Sequence, residues 1–305
     1  MYYIHSRASI TCQDSFRTDN VCEKLVVIDD TSDVVSPEYK EFIPPASLRR
    51  LSPVLKMGLT ASIECKNQSG KDFDAIVVGT GLGCLKDTEK FLSTFLTSTS
   101  DFLSPTAFIQ STHNTIGGQI SLGLGNHAYN MTHTQNSVSF EVSLLDAMMC
   151  INEGKKNVLV GAADEKIDFL KEVQPNLISA DFPLCSGASF FVLSPEKSEV
   201  QVKAISTTFS SENVLTDIAA FLDVHNLEME KIDLLLHSND GIEEHVTPKD
   251  AFNFLDYSGF HYSASAFALH IAHDYLVNEE KEWALIVNDM CPTNIGIMLI
   301  QRDEA

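Results

Sequence analysis

Short apolar runs closed by glycine or asparagine alternate along the chain with longer stretches of helical period, the pattern of an α/β fold. Ala75-Ile76-Val77-Val78-Gly79 is a buried-strand run that ends in a glycine turn. Asn157-Val158-Leu159-Val160-Gly161 and Phe190-Phe191-Val192-Leu193 repeat it, as do Ile232-Asp233-Leu234-Leu235-Leu236 and Trp283-Ala284-Leu285-Ile286-Val287. The run over 295–300 is expected to be the edge or partner strand of that last pair. Residues 139–153 place Phe140, Leu144, Ala147 and Met148 on one face at three-four spacing, which predicts a buried helix. The same period predicts helices over 47–65, 87–96, 214–222 and 263–277, whereas 172–186 lacks a clear period and reads as a long loop. Ser194-Pro195-Glu196-Lys197 punctuates the chain between two strand-like segments. The expected division is therefore residues 1–197 and 198–305, two α/β halves packed as one unit, since no low-complexity linker separates them.

Charge narrows the partners. The 305-residue chain has a formal net charge of −21, with 42 acidic residues against 21 basic ones. Such a surface repels phosphate backbones, so neither nucleic acid nor an anionic membrane is an expected partner. The 7 cysteines contain no CxxC pair and several sit in apolar runs, so reduced packing thiols are expected rather than a metal or redox motif. The opening Met1-Tyr2-Tyr3-Ile4-His5-Ser6-Arg7 lacks the apolar core of a signal peptide, and no apolar run is long enough to span a membrane. A cytoplasmic protein is expected, in which Asn130-Met131-Thr132 matches a glycosylation sequon by chance.

Val78-Gly79-Thr80-Gly81-Leu82-Gly83 is a glycine turn after a strand. It could cradle a dinucleotide pyrophosphate, but it lacks the third glycine of GxGxxG and an acidic residue closing the next strand. A tight turn where two backbones meet also needs glycine. Taken with its neighbours, the motif resembles the corresponding strand-turn of β-ketoacyl synthases. Leu48-Arg49-Arg50-Leu51 with Met57-Gly58-Leu59-Thr60-Ala61 is similar to a helix of that family. So is the stretch from Ser104-Pro105-Thr106 to Asn114-Thr115-Ile116-Gly117-Gly118-Gln119-Ile120-Ser121. Val158-Leu159-Val160-Gly161-Ala162-Ala163-Asp164-Glu165 resembles its "AGGAE" strand end, and Ser186-Gly187-Ala188-Ser189-Phe190-Phe191-Val192-Leu193 its "GEGAGxLVL" strand. The resemblance holds in order and rough spacing over most of the chain. It implies a thiolase-like αβαβα five-layer sandwich of two pseudo-symmetric halves, here with trimmed loops, and no cofactor.

In active members of that family a cysteine opens a buried helix. Matching Leu145-Asp146-Ala147-Met148 to the end of the family's pattern puts Glu141 at the nucleophile position, and a one-residue shift puts Phe140 there. Neither supplies a thiol, and the chemistry needs a thiolate at a helix N-terminus, where the dipole lowers its pKa. The Leu-Asp-Ala ending resembles the chain-length-factor subunits of type II polyketide synthases. The run over 104–147 looks closest to the synthase-like subunits of bacterial aryl-polyene or flexirubin-type pathways. Leu234-Leu235-Leu236-His237-Ser238-Asn239 stands where the family has its first histidine. His261-Tyr262-Ser263-Ala264-Ser265-Ala266 stands where it has the second. In an active synthase such imidazoles stabilise a thioester oxyanion and assist decarboxylation, while a histidine capping a strand end or helix start is the alternative for each. Phe140, Asn239 and Ser263 are the expected pocket residues beside the vestigial Glu141, His237 and His261. Pro292-Thr293-Asn294-Ile295-Gly296 is all that represents the family's closing glycine-rich loop.

His113, His127 and His133 have no short metal-ligand spacing, so no metal site is expected, and no GxSxG elbow supports a hydrolase. The resemblance implies a non-condensing subunit that completes a homodimer or a heterodimer with a Cys-bearing ketoacyl synthase. It would serve type II fatty-acid or polyene biosynthesis and meet acyl carrier protein through the complex. The alternatives are an acyl-thioester decarboxylase or acyltransferase acting without a covalent intermediate, and a stand-alone homodimer that binds an acyl chain. The basic residues nearest to a carrier-docking patch, Arg49, Arg50 and Lys56 and the Lys155-Lys156 pair, are thin on so acidic a chain. A more basic partner subunit is expected to hold the carrier. Residues 126–135 are expected at the dimer interface.

Overall fold

The computed structural model describes every residue except 99–103, 178–181, 210, 243–245, 247, 292 and 304–305. The uninterrupted apolar runs become strands covered on both faces. The first five strands are Tyr3–Ile10 (β1), Ala75–Gly79 (β2), Tyr129–His133 (β3), Val158–Asp164 (β4) and Gly187–Ser194 (β5). The next five are Val200–Phe209 (β6), Leu234–His237 (β7), Asp250–Asn253 (β8), Trp283–Cys291 (β9) and Asn294–Arg302 (β10). Every position of β2, β4, β5 and β7 is buried.

The strand order is β3-β2-β4-β5-β1-β6-β10-β9-β7-β8. Its two halves repeat one pattern. From the outer strand inward, β3-β2 and β2-β4 are parallel while β4-β5 and β5-β1 are antiparallel. The sequence β8-β7, β7-β9, β9-β10 and β10-β6 does the same. Each half contributes five strands, and the two sets are joined edge to edge by the pair Tyr3↔Gln201 and by the Val202 amide donating to the Tyr2 carbonyl at 2.9 Å. The join forms because β1 and β6 run antiparallel past each other at their first residues.

Helix faces set the layers. Pro53–Ser69 (α2) follows a single turn at Pro45–Leu48 (α1). The helix expected over 47–65 is thus broken before Pro53, which has no amide to donate and holds Ser52 extended at ψ 166. Next come Leu85–Thr97 (α3), Pro105–Gln110 (α4), Thr115–Leu124 (α5), Ser139–Asn152 (α6) and Asp168–Leu177 (α7). Helix α7 corrects the loop reading of 172–186 over its first part; in its first turn Leu170 is buried and Phe169 is exposed. Residues 178–181 of that stretch lie outside the described residues. Val214–Val224 (α8), Leu255–Ser258 (α9) and Ala264–Asn278 (α10) complete the helices.

The pleat then divides the core. Val77, Val160 and Phe191 point to one side with Phe140, Leu144 and Ala147 of α6, and share that core with Phe267, Ala268 and Ile271 of α10 and with Leu236 and Ile286. Ile76, Val78, Leu159 and Phe190 point the other way, onto Val54, Leu55 and Met57 of α2. Leu235, Leu285 and Val287 pack on Ile218, Phe221 and Leu222 of α8. Helices, strands, the central pair α6 and α10, strands and helices make five layers. Strand β10 is no edge: it lies between β9 and β6, so the partner reading of 295–300 is the observed one. Among the described residues the open edges are β3 and β8.

Candidate functional site

The glycine turn packs against the start of α6. A Cβ on Gly79 would lie 2.6 Å from the Ser139 carbonyl oxygen, so β2 reaches that close only because residue 79 has no side chain. Past it, the Thr80 hydroxyl donates to Asp164 at 2.8 Å and the Gly81 and Leu82 amides donate to the same carboxylate at 3.0 and 2.9 Å. The turn gathers donors as a phosphate cradle does, but Asp164, fully buried at the end of β4, holds them. Burial pushes the Asp164 carboxyl up against the pull of those donors. Replacing Gly79 with alanine should cost about 1–3 kcal/mol, because backbone on both sides must move. A lowered urea midpoint with an unchanged slope would register it, and an unchanged midpoint would show that the contact is slack.

Helix α6 opens on Ser139, Phe140 and Glu141. The Ser139 hydroxyl donates to the Asn136 carbonyl at 2.6 Å and accepts from the Gln135 amide at 2.9 Å, which ties the turn before the helix to its first residue. Phe140 is fully buried in the central core, its ring 5.9 Å from that of Phe191. Glu141 is also fully buried and points toward the second half of the sheet. The Asn288 amide donates to Glu141 Oε1 at 2.8 Å and to the Ser137 carbonyl at 2.8 Å. Gly296 of β10 provides the room, since a Cβ there would lie 2.8 Å from Glu141 Cγ. Among the described residues Glu141 Oε2 has no hydrogen-bond partner. Burial pushes the carboxyl up to about 7, against the Asn288 amide and the Ser265 hydroxyl, which favour its charged form. The glycine-rich loop expected over 292–296 is mostly strand: Asn294, Ile295 and Gly296 belong to β10, and Pro292 lies outside the described residues.

The other expected residues fall into two further groups. His237 ends β7 fully buried, in register with Asn253 of β8 and Val287 of β9. Beyond it the Ser238 hydroxyl and the Asn239 amide donate to the Asp289 carboxylate at 2.7 and 3.0 Å. His261 lies just before α10, with Nδ1 3.0 Å from the Ser263 hydroxyl. Among the described residues its Nε2 has no hydrogen-bond partner, and it faces Gly187, where a Cβ would be 2.8 Å away. Burial pushes His261 down to about 4, so its imidazole is neutral at physiological pH. It borders a slot of about 20 Å³, room for one water, lined also by Asp164, Glu165, Cys185 and Tyr262.

Glu141 is thus grouped with Asn288 and Ser265, Asn239 with Asp289, and His261 with Ser263 and, through that hydroxyl, Asp164. Strand β9 and the start of α10 connect the groups. Sequence reasoning missed Asn288, Asp289 and Ser265. A signal existed for the first two: they interrupt the apolar run from Trp283 to Val287 while the strand continues, and Asn288 is fully buried.

Residues 28–224 match the family model described as the β-ketoacyl synthase N-terminal domain, about two thirds of the chain. No curated protein matches it. Among solved structures, the ishigamide ketosynthase/chain length factor superposes with a TM-score of 0.80 at 14% identity, covering 100% of both chains. A β-ketoacyl synthase from Burkholderia phymatum STM815 gives 0.81 at 11% identity over 99% of each chain. A type II polyketide ketosynthase bound to the hexaketide, in complex with its acyl-carrier protein, gives 0.79 at 16% over 99% of each. At such identities the superpositions speak for the thiolase-like fold alone. The domain match covers more than half of the sequence, and with it the chain belongs to the β-ketoacyl synthase family.

Proposed function

We propose that this chain is a non-condensing, chain-length-factor-like subunit that pairs with a Cys-bearing ketoacyl synthase in type II fatty-acid or polyene biosynthesis. The observation that carries the reading is the opening turn of α6. Ser139, Phe140 and Glu141 offer no thiol there, and Glu141 is enclosed by Asn288 and Gly296. A carboxylate is a poor acceptor of an acyl chain, and this one is closed off from substrate. Pairing is supported by the open edge strand β3, around which Leu122, Tyr129, Met131 and Met149 are exposed. The Lys155 ammonium stands 5.7 Å over the Tyr129 ring on that edge. An acidic carrier protein would dock on the more basic partner, because Arg49, Arg50 and Lys56 and the Lys155-Lys156 pair are thin on a chain of net charge −21.

Co-expression with a Cys-bearing synthase encoded beside it, followed by native mass spectrometry, tests this reading. A one-to-one heterodimer is expected. The lone chain, incubated with acyl-loaded carrier protein, should gain no acyl group and release no condensation product. An acyl adduct on one cysteine of the lone chain would overturn the proposal. A second reading, an acyl-thioester decarboxylase or acyltransferase without a covalent intermediate, is favoured by one feature: burial pushes the Glu141 carboxyl up to about 7, the range of a general acid–base. Turnover by the lone chain that Glu141→Gln abolishes would select it.

A further inference from the structure

Helix α8 and the turn after it enclose an apolar groove on the outer face of the second half. Leu215, Ile218, Ala219 and Leu222 recur at helical spacing along one side of α8. Ile218 and Leu222 are buried against Leu235, Leu285 and Val287 of the sheet, while Leu215 is half-buried and Ala219 exposed. After the helix the chain folds straight back. The Leu227 amide donates to the Leu222 carbonyl at 3.1 Å and the Asn226 amide to the Asp223 carbonyl at 3.1 Å. Asn226 allows the reversal with φ 54, in the left-handed region that asparagine tolerates. Leu227 and Met229 thereby stand beside α8 across a groove of about 550 Å³. Both walls are held by hydrogen bonds. Asn213 caps α8 by accepting from the Leu215 and Thr216 amides at 2.9 and 3.3 Å, and the Ile232 amide donates to the Met229 carbonyl at 2.9 Å.

Charge says what fits there. Asp223, Glu228 and Glu230 line the same groove, and all three are exposed. Among the described residues no lysine, arginine or histidine lines it. An apolar floor between carboxylates matches an amphipathic helix whose apolar face is flanked by lysine or arginine. Leu215 and Leu222 are seven positions apart, about 10 Å along α8, which is the length of two turns of a partner helix. A second copy is the wrong occupant, because it would bring a chain of net charge −21 against these carboxylates. The groove also lies away from the β3 edge. Helix α8 packs on β7, β9 and β10, toward the other end of the strand order, so a partner on β3 leaves the groove open.

We propose that this groove docks a basic amphipathic helix of another protein, its apolar side chains against Ile218, Leu222 and Met229 and its cations beside Asp223, Glu228 and Glu230. Burial of the apolar side chains supplies the attraction, and the carboxylates reject a helix of the wrong sign. Met229, unbranched and adaptable, lets the groove take apolar side chains of different shape. The groove gives the chain a contact for a further protein that does not depend on pairing at β3.

The test is fluorescence anisotropy with the full chain and a labelled synthetic helix. The probe carries leucine at i, i+4 and i+7 with lysine on either side. One control helix has glutamate for each lysine, and another has the leucines scrambled off the common face. Micromolar binding of the basic helix at physiological salt is expected, about tenfold tighter than either control. Ala219→Gln, at an exposed helix position, should weaken binding about tenfold while leaving the urea midpoint in place. Asp223→Lys with Glu230→Lys should do the same, whereas Asp30→Lys with Glu89→Lys in the first half should change it by less than about twofold. The proposal is overturned by equal binding of a control helix, by binding that Ala219→Gln leaves unchanged, by a loss as large in the first-half variant, or by no binding at about 1 mM. Self-association of the chain that Ala219→Gln abolishes also overturns it, since the groove would then belong to a second copy.

Discussion

Asp274→Ala is expected to lower the stability of the fold by about 3–5 kcal/mol, the loss that follows when one partner of a buried ion pair is removed. The carboxylate of Asp274 is fully buried on α10 and takes the Arg7 guanidinium, the His273 imidazole at 3.2 Å, the His270 imidazole at 3.5 Å and the Val21 amide at 2.8 Å. Burial alone would raise this carboxyl, but His270, His273 and Arg7 outweigh it and hold the group far below the ordinary carboxylate range. Alanine would orphan the Arg7 charge and the Val21 amide together, and with them the link from β1 to α10. Urea unfolding at neutral pH measures the loss, and a change under about 1 kcal/mol, the worth of a surface pair, would mean that water replaces the carboxylate. The sign of the pH dependence follows. A depressed carboxyl contributes stability above its unfolded pKa and loses it as pH falls through the folded value. The two neighbouring imidazoles, held down by burial, add to acid sensitivity, with His273 lost as pH falls from about 6.5 toward about 4.

Glu141→Gln should act in the opposite direction. A carboxyl raised to about 7 in the folded chain stabilises it fully below the unfolded value of about 4.3 and loses that contribution as pH rises through 7. Above neutrality the wild-type chain carries an ionised, half-satisfied carboxylate among Asn288, Ser265 and Gly296. Glutamine keeps an acceptor for the Asn288 amide and removes the charge. At pH 8 the variant should therefore be more stable than the wild type by about 2–3 kcal/mol, and at pH 4.5 nearly equal to it. Glu165, pushed up to about 7 mainly by burial, leaves a residual decline in both proteins. Urea midpoints at the two pH values decide it. Equal shifts at both would show that the Glu141 carboxyl is charged throughout.

The fold was legible where its strands are short apolar runs, as in β2, β4, β5, β7, β9 and β10, and where α6 and α10 carry the apolar faces their sequences announce; β1, β3, β6 and β8 mix polar with apolar residues and were not read as strands. The break before Pro53 was legible in principle, since proline forbids what the period suggests. Helix α7 was not, because Pro175 interrupts its sparse apolar positions Val173 and Leu177. The site was legible residue by residue but not as an arrangement. Glu141, His237 and His261 were visible on motif grounds, yet what surrounds each is decided by strand register and by where glycine leaves space. That Asn239 turns to Asp289 while Asn288 turns to Glu141 depends on the side from which each residue leaves its strand, 50 and 147 positions from its partner. The glycine turn is instructive: two readings were open, and Asp164, far along the chain, occupies the donors that a phosphate would need.

The position of β1 has a consequence for synthesis. It lies in the middle of the ladder between β5 and β6, yet it leaves the ribosome long before either. Its nearest pairing, Ile10 with Ala188, closes a loop of roughly 180 residues, which costs about 4–5 kcal/mol of chain entropy before any contact repays it. At about 5–20 residues per second, the strand waits on the order of 10–40 seconds for a partner. A central strand left bare for so long invites pairing with neighbouring chains. His5, Ser6, Arg7 and Ser9 are interleaved with its apolar residues, unlike the unbroken aliphatic runs of β2 and β4. In the finished fold the Ser6 hydroxyl donates to the Cys65 carbonyl at 2.9 Å and the Ser9 hydroxyl to Ser189 at 2.8 Å, so the polarity that keeps the waiting strand soluble is absorbed once its neighbours arrive.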